Sequence, residues 1–151
     1  MEDRRPQVPP LRGAQVSLAK RKTPTKAQRS YHDAVIGLGC VVCLHRGQAQ
    51  PNRTTLHHRN LGDLHGQKQL GQDSVVAMCA WHHLGDCLPG MNAESMRDEY
   101  GPSFDKHAKD FRNWTDDVLP NYPGRGTERW QAFQDEQLDY PATAGQLTWR
   151  V

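Results

Sequence analysis

A chain of 151 residues with 36% apolar residues, 13 glycines and 10 prolines has material for one modest domain and for much loop or tail. It has no run of about 18 apolar residues, and its start, Met1-Glu2-Asp3-Arg4-Arg5-Pro6, lacks the apolar stretch of a secretory leader. Neither a membrane span nor export is therefore expected, and a reducing, cytoplasmic setting is. The formal charge of +2 conceals an asymmetry: residues 1–30 carry eight Lys and Arg against Glu2 and Asp3, whereas the remainder carries eleven against fifteen acids.

Four prolines (Pro6, Pro9, Pro10, Pro24) and few large apolar side chains predict a disordered arm over residues 1–24. The cations Arg12, Lys20, Arg21, Lys22, Lys26 and Arg29 suit DNA, because Lys and Arg that displace condensed counterions from a phosphate backbone bind without reading sequence. From Thr25, a residue type that caps helices, Ala27, Tyr31, Ala34, Val35 and Leu38 recur at helical spacing up to a Gly37/Gly39 stop. Cys40-Val-Val-Cys43 then reads as a tight knuckle and residues 45–53 as a polar loop. Residues 54–58 suit a strand, 60–72 a glycine-containing loop, and 74–78 a second strand ending at Cys79.

Strand, loop, strand and then ligands entering a helix form a ββα outline. Beyond it, Asn92 caps a helix over residues 93–100 that stops at Gly101-Pro102. Residues 104–114 are expected to form another, with Phe104, Ala108, Phe111 and Trp114 as its apolar face. A Pro/Gly-rich link over 120–126 precedes a short helix over 127–138. The class is α+β, divided into the arm, a core domain over 25–112 and a C-terminal extension over 113–151.

A core this small needs a staple. In a reducing compartment, cysteines at this spacing point to metal rather than disulfides. Two side chains three residues apart reach one ion from a single turn, so Cys40, Cys43, Cys79 and His82 supply a closed Cys₃His structural zinc site. That leaves His57, His58 and His83. Adjacent strand residues point to opposite faces, so His57 and His58 have different tasks, one to bind a metal and one to activate water. His83, turned about 100° from His82 on a helix, is positioned to face the same second metal as His57.

The order Cys-x₂-Cys, His-His, strand, Cys-x₂-His-His resembles the zinc-stapled branch of the HNH (ββα-metal) endonucleases. Lys22-Thr23-Pro24-Thr25, a short distance before the first knuckle, is similar to the phage recombination enhancement function (Ref) proteins, which are RecA-dependent DNA nucleases with a basic, disordered N-terminal arm. The likeness covers roughly residues 20–110. It implies a zinc-stabilised ββα-metal core with flanking helices, over residues 25–112. It also implies an endonuclease of phage or bacterial recombination, acting on DNA with a RecA filament and leaving 5′ phosphates. Carried over by position, it makes His58 the general base and His57 and His83 the ligands of a catalytic divalent cation, Mg²⁺ or Mn²⁺. A neutral imidazole suits proton abstraction near pH 7.

Two positions depart from the family's pattern. Where relatives carry a middle Asn, this chain has Gln72, Asp73 and Ser74; Asp73 either orients the base or caps a turn. Where many relatives have a final histidine ligand, this chain offers Cys87, Asn92, Asp86 or water, and a thiolate suits Mg²⁺ poorly. His65, His32, His45 and His107 read as ordinary surface or hydrogen-bonded rings, and Trp81 as packing over the zinc site. The competing reading is a non-catalytic zinc-finger module that binds DNA or a recombinase.

Overall fold

The computed structural model describes residues 23–63 and 68–138. The arm's expected disorder, with Arg12, Lys20, Arg21 and Lys22, lies outside them, as do His65 and the chain beyond 138. The first helix, α1 (Lys26–Leu38), opens with a capping box. Thr25 accepts from the Gln28 N–H while the Gln28 side chain accepts from the Thr25 N–H, and Gly39 ends the helix at φ 95°. Lys26 and Arg29 lie exposed on it, with Arg29 donating to the Pro24 carbonyl.

The expected knuckle is the first turn of a short helix, α2 (Val41–Arg46). Cys40 is its N-cap, and its sulfur accepts from the Cys43 N–H. Strands β1 (Thr54–His58) and β2 (Val75–Cys79) pair antiparallel, His57 opposite Val76 and His58 opposite Val75. Helix α3 (Ala80–Leu84) follows β2 directly. Helix α4 (Ala93–Tyr100) is capped by Asn92, α5 spans Ala108–Val118 and α6 spans Thr127–Leu138. The chain is α+β, and no helix among its described residues is long and apolar enough to cross a membrane.

Every residue of β2 is buried, unusual for a two-stranded sheet and explained by cover on three sides. Because side chains alternate along a strand, Val76 and Met78 enter one apolar cluster with Cys40, Cys43, Trp81, Phe111 and Trp130. Val75 and Ala77 enter the other, against Tyr31, Val35 and Leu138. The free edge of β2 is closed by a side chain: the Gln134 amide accepts from the Ala77 N–H (2.8 Å) and donates to the Val75 carbonyl (3.0 Å), as a neighbouring strand would. Tyr31 ties α1 to the same helix, its hydroxyl donating to Asp135 and accepting from Gln131 and Gln134.

The helices assigned to the C-terminal extension are thus part of the core that contains the strands. Trp130 is fully buried, and its indole N–H donates to Thr115 on α5. The helix expected from residue 104 begins instead at Ala108. The Phe104 N–H donates to the His82 carbonyl (2.7 Å), which draws Phe104 out of helical geometry and sets its ring against His57 and Phe111.

Asp63 joins the loop after β1 to α6: its carboxylate accepts from the Thr127 N–H (2.7 Å) and from the Thr127 hydroxyl. The close approach requires Gly126, which has φ 52° and where an added Cβ would stand 2.1 Å from Asp63 Oδ2. Gly126→Ala is expected to lower stability by about 1–3 kcal/mol through clash and backbone strain together. Urea denaturation measures this, and an unchanged midpoint would refute the close-approach account.

Candidate metal centre and adjoining cleft

Cys40 and Cys43 arrive from the start of α2, Cys79 from the end of β2 and His82 from α3; all four are buried, with ligand atoms within 4.8 Å of one another. His82 Nδ1 lies 3.5, 3.6 and 3.3 Å from the sulfurs of Cys40, Cys43 and Cys79. A tetrahedral zinc with ordinary Zn–S and Zn–N bonds has S···N edges of about 3.5 Å. Three sulfurs and one imidazole at these separations therefore fit a metal ion such as zinc. His82 Nε2 donates to the Tyr100 carbonyl (2.8 Å), which leaves Nδ1 as the lone-pair atom facing the sulfurs. Gln48 donates to the Cys43 sulfur and to the same Tyr100 carbonyl.

Without an ion the three sulfurs divide charge unequally, Cys40 and Cys43 holding their protons and Cys79 releasing its own. Burial pushes the Cys40 thiol well up, whereas hydrogen bonds from Cys40 and Cys43 hold the Cys79 thiol far below its usual range. Trp81, fully buried in the same cluster, donates its indole N–H to the Gly101 carbonyl. Among the described residues no other group of three or more His, Cys, Asp or Glu comes together with this geometry.

Next to the cluster lies a cleft of 430 Å³ lined by His57 and His83, with Asn60, Asp63, Asp105 and Arg112 among the other walls. His57 Nδ1 is 3.2 Å from His83 Nε2. Thr55 donates its hydroxyl proton to the Met78 carbonyl (2.8 Å) and so accepts from His83 Nδ1 (2.7 Å), which leaves His83 Nε2 unprotonated toward His57. Burial above all, then His83, His58 and Arg59, lowers the His57 pKa to about 3, and burial lowers that of His83 against the pull of Asp105. Both rings are neutral near pH 7. Their N···N distance is also that of two neighbouring ligands of one divalent ion, for which about 3.0–3.4 Å is expected from bonds near 2.1 Å.

His58 points the other way. Strand alternation carries it to the α1 side of the sheet, where it meets His32 edge-on, with ring centroids 6.0 Å apart, and its Nε2 lies 3.1 Å from Gln72 Oε1. His32 in turn bonds the Gln72 carbonyl. Gln72, rather than Asp73, is the residue of that segment whose side chain reaches His58; exposed Asp73 accepts from Gln28 on α1 and, through its carbonyl, from Gln131 on α6.

The residues weighed for a third ligand lie elsewhere. Asp86 pairs with Arg53, Asn92 caps α4, and exposed Cys87 reaches only the Gly85 carbonyl. His45 packs on Trp130 and Phe133, and His107 accepts from the Ser103 N–H. Spacing alone did not single out Asn60, Asp63, Asp105 or Arg112, which reach the cleft only through tertiary packing. Comparison of the chain with protein-family models, curated proteins and solved structures returns no match.

Proposed function

We propose that this chain is a divalent-metal-dependent DNA endonuclease of the HNH type, stapled by zinc at Cys40, Cys43, Cys79 and His82. The observation that carries the reading is the His57–His83 pair: two neutral imidazoles 3.2 Å apart, one from a β-strand and one from the following helix, at the wall of an open cleft. The two rings would hold a divalent ion, Mg²⁺ or Mn²⁺, which would supply charge compensation to the phosphate and to the departing 3′ oxygen. His57 and His83 would also orient that ion, and Thr55 fixes the His83 tautomer. The resemblance gives His58 the proton of the attacking water and a 5′-phosphate product, a role that requires the ring to leave His32 and Gln72 for the cleft side. The basic arm tethers the enzyme to DNA, and the resemblance to Ref proteins adds a RecA filament as partner in a bacterial cytoplasm.

A second reading, a zinc module that binds DNA or a recombinase without cutting, is favoured by the direction of His58, toward His32 and Gln72 rather than into the cleft. One experiment separates the two. Supercoiled and D-loop DNA are incubated with the protein and Mg²⁺ or Mn²⁺, with and without a RecA filament. The nuclease reading expects cleavage that falls at least 100-fold in both His57→Ala and His58→Ala. Cleavage that persists in His58→Ala sinks the base assignment, and no cleavage under any condition leaves the binding module.

A further inference from the structure

Arg112 stands on α5, outside the strands and helix that carry the histidines, yet lines the same cleft. It is half-buried, as are Arg59, Arg97 and Arg129. Those three are matched: Arg59 donates to Thr127 and Gln131, Arg97 to Asp110, and Arg129 to the Leu119 carbonyl while pairing with Asp116. Arg112 has no hydrogen bond or ion pair among the described residues. Asp63, which lines the same cleft, accepts from Thr127 and has no ion pair with Arg112 among the described residues.

A half-buried guanidinium with no partner among the described residues has given up part of its hydration and remains free to take an anion. Its fork matches two oxygens of an oxyanion, and charge-assisted bidentate pairing with a phosphate is about twice as strong as a neutral hydrogen bond. Two residues that line this cleft also carry buried polar atoms with no hydrogen bond among the described residues, His57 Nε2 and Asn60 Oδ1.

We infer that Arg112 is a phosphate-binding residue of this cleft, holding the non-bridging oxygens of a DNA phosphodiester in the space that His57 and His83 also line. The inference rests on the nuclease reading and adds to it a wall contributed by α5. It predicts a role in grip rather than in proton transfer.

The test uses the full chain in its zinc-loaded form and a double-stranded oligonucleotide without added Mg²⁺, with the dissociation constant measured over a salt series. Arg112→Gln is expected to bind about tenfold more weakly and to reduce the slope of log affinity against log salt by about one. Arg112→Lys is expected to keep the slope. Wild-type affinity and slope in Arg112→Gln would overturn the inference, as would weaker binding with an unchanged slope, which marks a packing effect. Arg112→Met, which keeps the aliphatic stem, repeats the measurement should Arg112→Gln not fold. The nuclease reading fails separately, by absence of cleavage or its persistence in His57→Ala, whatever Arg112 does.

Discussion

Cys43→Ser is expected to abolish zinc binding at the Cys₃His cluster and to unfold the protein. Structural zinc sites of this donor type contribute on the order of 10 kcal/mol of folding free energy, as much as or more than the net stability of a domain this size. The loss is not local, because Cys40, Cys43 and Cys79 sit in the same buried cluster as Trp81, Phe111 and Trp130. A hydroxyl in place of the sulfur leaves three donors around the ion and a polar group in an apolar surround. Zinc content by atomic absorption and backbone order by circular dichroism report the two losses together. Cys87→Ser, at the exposed fourth cysteine, is the control and should change neither. A folded Cys43→Ser protein that retains one zinc per chain would mean that the cluster is not the staple.

Ending the chain after Gly126 is expected to unfold it as completely, although every metal-ligating residue remains. Helix α6 brings Trp130 and Leu138, both buried, into the two apolar clusters on opposite faces of β2. Loss of two such side chains is worth about 5–10 kcal/mol. Removing Gln134 further strands the Ala77 N–H and the Val75 carbonyl, at about 1–3 kcal/mol each. Gln134→Leu isolates that share and should lower stability by roughly 2–4 kcal/mol, while a chain ended after Leu138 keeps α6. A truncated protein with native circular dichroism and a cooperative melt would show that residues up to 126 form an independent domain.

The parts of the molecule that could be read in the sequence are those whose signal is local. The capping residues Thr25 and Asn92, the stops at Gly39 and Gly101 and the strand at 54–58 all follow from short-range chemistry. The pairing of Cys40 and Cys43 with Cys79 and His82 was legible because few side chains bind soft metals and their spacing fits one turn. Opposed directions for His57 and His58 followed from strand alternation. The nearness of His57 to His83 followed as well, but what His58 would face did not, because that depends on α1 delivering His32 and on a loop residue, Gln72, closing over the ring. Gln134 resembles any polar helix residue until the helix is docked, and its work as a substitute strand has no signature in composition or period. Phe104 broke its helical pattern because one backbone bond to His82 outweighed propensity.

The pairing of β1 with β2 also limits how this chain can change in length. With His57 opposite Val76 and His58 opposite Val75, a single inserted or deleted residue between Thr54 and His57 would exchange the surroundings of the two rings. The ring now beside His83 would turn to the α1 face and the other to the cleft face, a deletion setting His58 where His57 stands and an insertion setting His57 where His58 stands. Insertions between Arg46 and Arg53, in the polar loop before the strand, leave that parity untouched. Variants of different length in that loop are therefore expected to be tolerated where Gln48, Gln50 and Asn52 keep their bonds to Cys43, Cys40 and Trp81, and a one-residue change inside the strand is not.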